Sequence, residues 1–150
     1  MKNTLDFFRA APADSPVAVQ FAHEAEACAA VLMACMQANE LGEFAENATF
    51  YTTIRSRNIF KGHDPAALLA AAELHCEKAG SPTALIDAAL VAIRAHTRIP
   101  LFVQCLDVIL ADGLVTPREH QVFQYLKRKF GVDDDLASKT LEVLLAKNRL

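Results

Sequence analysis

The chain is poor in glycine, and it lacks the long apolar run from which a membrane span is built. It has 5 glycines among 150 residues and no tryptophan, and it contains no Walker loop, GxGxxG or GxSxG pattern. Glycine-rich loops let backbone amides surround a phosphate, so we expect no nucleotide loop of that kind. No apolar run approaches the roughly 18 residues that a membrane-spanning helix needs. We also expect no targeting segment.

Excess positive charge and paired cysteine motifs are missing as well. The formal net charge is −3, which disfavours general binding to nucleic acid, because that depends on clustered cations. The one basic run, at positions 127–129, falls where a helix should end, and cations there complement the helix dipole. The four cysteines have no CxxC spacing, so we expect reduced, buried thiols and a cytoplasmic protein.

Signals for helix starts are frequent, whereas strand signals are nearly absent. Four dipeptides place a capping residue directly before a proline: Ser15-Pro16, Asp64-Pro65, Ser81-Pro82 and Thr116-Pro117. The side-chain oxygen of the first residue accepts an otherwise unpaired amide, and proline at the first helical position loses no hydrogen bond. We therefore predict an all-α fold, a single-domain bundle over residues 1–150 with a leader at 1–14.

The apolar periodicity predicts about seven helices. Their expected spans are 16–38, 44–58, 65–78, 82–96, from about 98–100 to 111, 117–130, and a last helix capped by residues 133–135. The short connections between them favour antiparallel neighbours in the bundle.

Two segments of the chain match each other at a constant offset, which indicates an internal repeat. Each residue of the first set lies 73 positions before its counterpart in the second. The sets are Ala38, Asn39, Leu41, Glu46 and Phe50, and Ala111, Asp112, Leu114, Glu119 and Phe123. We therefore predict two related helical hairpins, whose turns carry acidic or amide side chains.

The second turn allows two interpretations. In the structural one, Glu119 completes a capping box with Thr116, and Asp112 with Gly113 forms an ordinary turn. However, Glu119 shares a stripe with apolar residues, and a buried carboxylate needs a hydrogen bond, a counter-charge or a metal. Asp112 would face the negative end of the preceding helix dipole, which disfavours an anion.

In the functional interpretation, the turns bind a divalent cation. Asp112 and Glu119 would be the main ligands, with Glu46 helping, and Asn39 stands where the first turn would carry the aspartate. Oxygen ligands favour calcium or magnesium, and a histidine such as His120 would allow zinc. The replacement of aspartate by Asn39 favours one site over two symmetric ones. The spacing is not that of an EF-hand.

Other catalytic or metal patterns are absent from the sequence. The five histidines do not fall at the spacing of zinc hydrolases, and we expect them at the surface or in interfaces. No nucleophile and base are paired, so an enzyme is not expected, and a hydrolase using the carboxylates is the weakest hypothesis.

The pattern Ala-Asp-Gly-x-Val-x-Pro-x-Glu at positions 111–119 resembles the tellurite-resistance TerB family. The segments at 54–66 and 132–148 are similar to the same family, so the resemblance covers about residues 16–148. It implies an all-helical bundle of two pseudo-repeated halves and a non-enzymatic role in tellurite or wider stress resistance. It also implies metal binding through the acidic turns, and association with a membrane-embedded partner. The alternative is a plain helical interaction domain, perhaps homodimeric, without a metal.

Overall fold

The helix at positions 24–38 lies at the centre of the molecule. The computed structural model describes residues 19–38, 43–111 and 115–150, with side chains from position 47 onward in the second range. Within these ranges there are seven α-helices and no strand: α1 Glu24–Ala38, α2 Glu43–Ser56, α3 Pro65–Ala79, α4 Pro82–Leu90, α5 Ala95–Ile109, α6 Pro117–Phe130 and α7 Asp134–Asn148. A short 3₁₀ turn, Asn58–Phe60, follows α2. The all-α prediction is confirmed.

Helix α1 is buried on all sides because its side chains are small or apolar around the whole circumference. Twelve of its 15 residues are buried, and none after Glu26 is charged. It packs chiefly against α3, α4 and α5, and also contacts α2 and α6. A helix that is apolar all round belongs in the interior, where it fills the space that the other helices enclose.

Three of the four predicted proline-flanked caps are present. The side-chain oxygens of Asp64, Ser81 and Thr116 each accept a backbone amide three residues later, at 3.2 Å. Glycines in the left-handed conformation follow two of these helices, Gly80 after α3 and Gly131 after α6. The fourth pair, at 15–16, lies outside the described residues, as does the predicted leader.

Three predicted helix boundaries were wrong, namely the start of the first helix and the two boundaries on either side of position 94. Residues 19–23 are not helical, and α1 begins at Glu24 instead of position 16. The predicted helix 82–96 ends at Leu90, and α5 begins at Ala95, earlier than expected. Arg94 is extended between them, and its amide donates to the Glu24 carboxylate at 2.7 Å. A contact from α1 thus separates α4 from α5, which local periodicity does not reveal.

Pro100 lies inside α5 and does not start it, contrary to the prediction. Its ring nitrogen has no hydrogen to donate to the preceding turn, so α5 lacks one backbone bond there. Beyond this position the predicted inner residues Phe102, Cys105 and Ile109 are all buried.

The four cysteines are unbridged and buried, as predicted. Burial raises the pKa of the Cys105 thiol well above its ordinary value. Burial raises the pKa of the Cys28 thiol to about 12. These thiols pack as small apolar side chains.

No helix in the described part of the chain is long and apolar enough to cross a membrane.

Candidate functional site

The predicted acidic turn joins α5 to α6. Helix α5 ends at Ile109, and α6 begins at Pro117 after the cap Thr116. Asp112 belongs to the part of this connection that lies outside the described residues. The structure therefore describes both ends of the turn and the predicted ligand on the α6 side, Glu119.

Glu119 closes a complete capping box. The Thr116 amide donates to Glu119 Oε1 at 3.0 Å, and the Glu119 amide donates to Thr116 Oγ1 at 3.2 Å. The side chain is 0% exposed and lies on the buried face of α6 with Val122 and Leu126. Both parts of the sequence prediction are confirmed here, since the residue caps the helix and also points into the protein.

The remaining predicted ligands are not placed by the described residues. Asn39 lies outside them, as does the side chain of Glu46, although the backbone of Glu46 belongs to α2. Within the described ranges, no three histidine, cysteine or acidic side chains are arranged to hold a metal ion. The predicted ligand set of Asp112, Glu119, Glu46 and Asn39 therefore stays a prediction.

An apolar groove lies beside the turn, between α5, α6 and α7. Its volume is about 370 Å³, and the residues on either side of the undescribed turn segment, Leu110 and Val115, both line it. The other lining residues are Leu106, Ile109, His120, Phe123, Gln124, Lys127, Asp134, Ala137, Ser138 and Leu141. Lys127 forms an ion pair with Asp134 across the rim. The groove is therefore mainly apolar, with one ion pair at its rim, and it lies next to the predicted acidic turn.

A second polar cluster, which the sequence analysis missed, occupies the start of α1. Glu26 Oε1 is hydrogen-bonded to Nε2 of His75 in α3, and both side chains are largely buried. The ring of Phe21 packs on His75 with 4.5 Å between centroids. His75, which was expected at the surface or in an interface, is buried between α3 and the start of α1, because a partner distant in sequence allows the imidazole to leave the solvent. The available signal was a glutamate in the first turn of a helix that is otherwise apolar all round.

Glu24 makes the other polar contact at this end. Its carboxylate accepts from Nε of Arg94 at 3.1 Å and from Nη2 at 2.9 Å, in addition to the Arg94 amide. The hydrogen bonds from the Arg94 side chain are the main reason why the pKa of Glu24 lies below its ordinary value of 4.5. The contact ties the first turn of α1 to the α4–α5 junction.

A known protein family matches most of the chain. The model of the family described as "Tellurite resistance protein TerB" matches residues 25–141, well over half of the chain. The chain belongs to the TerB family. No curated protein and no solved structure matches it significantly. The matched region includes all of the α5–α6 turn, and it begins inside the first turn of α1.

Proposed function

We propose that this TerB-family protein acts in a tellurite- or stress-resistance system as a non-catalytic module that binds a divalent cation. The observation that supports this most is the complete burial of the Glu119 carboxylate at a turn whose sequence carries Asp112. A carboxylate that is removed from water is stabilised by hydrogen bonds, a counter-charge or a metal ion. Asp112, in the same turn of the sequence, would supply a second carboxylate for a cation.

The chemistry of the available donors fits a hard cation. Carboxylate oxygens of Asp112, Glu119 and Glu46, with the amide oxygen of Asn39, would be the protein ligands. Such oxygen donors suit calcium or magnesium, and His120, in the first turn of α6, would allow zinc. The bound ion would offset the repulsion between the carboxylates.

The proposed consequence of binding is mechanical. Residues on both sides of the turn line the apolar groove, so an ion that fixes the angle between α5 and α6 would also fix the shape of that surface. The protein would then dock on other proteins of a resistance system in the cytoplasm, one of them embedded in the membrane. No step in this proposal requires a nucleophile or a general base.

Thermal unfolding in the presence of calcium, magnesium or zinc tests whether the protein binds a divalent cation. At about one hundred times the dissociation constant, binding adds about 2.7 kcal/mol, which corresponds to a rise in Tm of about 5–10 °C. The double variant Asp112→Asn with Glu119→Gln should lose the rise. The matched control, Asp135→Asn with Glu142→Gln, changes two exposed acids of α7 and should keep it. No rise with any of the three ions would refute the proposal.

A second candidate function is a homodimeric interaction domain without a metal. It is favoured by large apolar side chains at the surface, among them Val91 at 91% and Val143 at 65% exposure. Light scattering of the purified chain distinguishes the two candidates. A dimer whose stability does not change with any of the three cations would support the metal-free interaction domain. A monomer that a cation stabilises would support the cation-binding module.

A further inference from the structure

The last turn of α7 lies against the end of α5, where the connection to α6 begins. Lys147 donates to both carboxylate oxygens of Asp107 at 2.9 Å. Asn148, the last residue of α7, donates from Nδ2 to the carbonyl oxygen of Leu110 at 3.2 Å and to Oδ1 of Asp107 at 3.4 Å. The contacted carbonyl belongs to the residue two positions before Asp112 in the sequence.

The Leu110 carbonyl needs a donor from outside its own helix. Leu110 is the C-cap residue of α5, and its side chain is buried. The last carbonyls of an α-helix have no partner within the helix, and where water is partly excluded another group has to supply the hydrogen bond. The amide group of Asn148 supplies it from 38 residues away, in a partly buried contact.

The two sides of the predicted acidic turn are therefore held by different contacts. On the α6 side, Glu119 is bonded to Thr116 within its own helix start. On the α5 side, Leu110 is held by Asn148 from α7. Ligands that are already held in place lose less conformational freedom when an ion binds, so both contacts favour a cation at the turn.

We propose that Asn148 is a positioning residue for the cation site at the α5–α6 turn, and that the Lys147–Asp107 contact fixes the end of α7 that carries it. This role rests on the proposed function, because it concerns the same site. By linkage, an ion that prefers the held turn also stabilises the contact of α7 with α5. Since α7 lines the apolar groove, the ion would stabilise that wall of the groove as well.

Calorimetric titration of Asn148→Leu with calcium, magnesium and zinc tests this role. The substitution removes the donor and keeps the net charge and a similar side-chain size, so the electrostatic attraction of the turn for a cation stays the same. For the ion that the unmodified chain binds, we expect the dissociation constant to rise about fivefold or more, the lower end of typical coupling between sites. The control, Gln121→Leu, replaces an exposed amide of α6 and should leave the dissociation constant unchanged.

Hydrogen exchange of the metal-free chain measures the contact itself. The amides of Leu110 and Ala111 are hydrogen-bonded to carbonyls in the last turn of α5. Without the Asn148 donor this turn should open more readily, so the protection of both amides should fall about threefold in Asn148→Leu, the net effect of one hydrogen bond. Their protection should stay the same in Gln121→Leu.

Weaker ion binding together with lower protection in Asn148→Leu would support the positioning role. If the unmodified chain binds an ion, an unchanged dissociation constant or unchanged protection in Asn148→Leu would overturn this role and leave the cation site standing. An equal loss of affinity in Gln121→Leu would overturn it too. If the unmodified chain binds none of the three ions, the proposed function is refuted and the positioning role with it.

Discussion

Two glutamates occupy the same position in two different helices and do different things. Glu26 is the third residue of α1 and Glu119 the third residue of α6, and both side chains are turned into the protein. Glu119 bonds within its own helix start, to Thr116, three residues away. Glu26 bonds to His75, 49 residues away, and has only a long contact of 3.4 Å with the nearby Ala22 amide.

The difference shows how one residue type serves either local or tertiary structure. Where the cap residue supplies a hydroxyl and the next residue is proline, as at Thr116-Pro117, the capping box is complete and glutamate is used locally. At the start of α1 the side chain of His23 accepts the Glu26 amide. The Glu26 carboxylate instead joins α1 to α3 through His75. Four predictions follow this contrast, from the largest expected effect to the smallest.

Glu26→Ala should destabilise the protein most. It removes one partner of a buried hydrogen bond and leaves the polar ring of His75 without that bond, and the loss of such a partner costs up to about 3 kcal/mol. The free energy of unfolding from urea titration measures this. Glu142→Ala, on the exposed face of α7, is the control and should change it by less than about 0.5 kcal/mol. A loss below 1 kcal/mol for Glu26→Ala would contradict the tertiary role.

Glu119→Ala should cost less, about 1–2 kcal/mol, because the bond it loses is a helix cap. Its effect should also couple to that of Thr116→Ala, since the two side chains share one capping box, with an interaction free energy of about 0.5–1 kcal/mol. In the control cycle, the losses of unfolding free energy caused by Thr116→Ala and Glu26→Ala should simply add. Urea unfolding of the single and double variants measures both cycles. Additivity in both would show that the capping box of Thr116 and Glu119 contributes nothing as a unit.

Glu24, in the first turn of α1 like Glu26, should make a smaller contribution to the free energy of unfolding, and this contribution should depend on pH. Because its pKa in the folded protein lies below the ordinary value of 4.5, the Arg94 contact stabilises the fold above that pH. This contribution should disappear as the pH falls through the lower, folded-state pKa. Unfolding free energies measured from pH 6 to pH 3 should therefore decline less steeply for Glu24→Gln than for the unmodified chain. Equal slopes would refute this contribution.

The same contrast explains what the sequence could predict. Starts of α3, α4 and α6, and the inward Glu119, follow from signals within four residues, and the structure confirms them. The break at Arg94 and the burial of His75 depend on Glu24 and Glu26, which are 70 and 49 residues away. Periodicity carries no information about such distant partners. The other predicted cation ligands would also depend on residues distant in sequence, because they would come from two separate turns.

Calorimetric titration of Glu119→Gln and Glu26→Gln with calcium, magnesium and zinc compares the two glutamates most directly. Each substitution removes one carboxylate charge at the same helical position and keeps the size of the side chain. We predict that at least one ion binds the unmodified chain with measurable heat, that Glu26→Gln retains this heat, and that Glu119→Gln loses it. Equal binding in both variants, or no binding to the unmodified chain, would contradict a cation site at the α5–α6 turn.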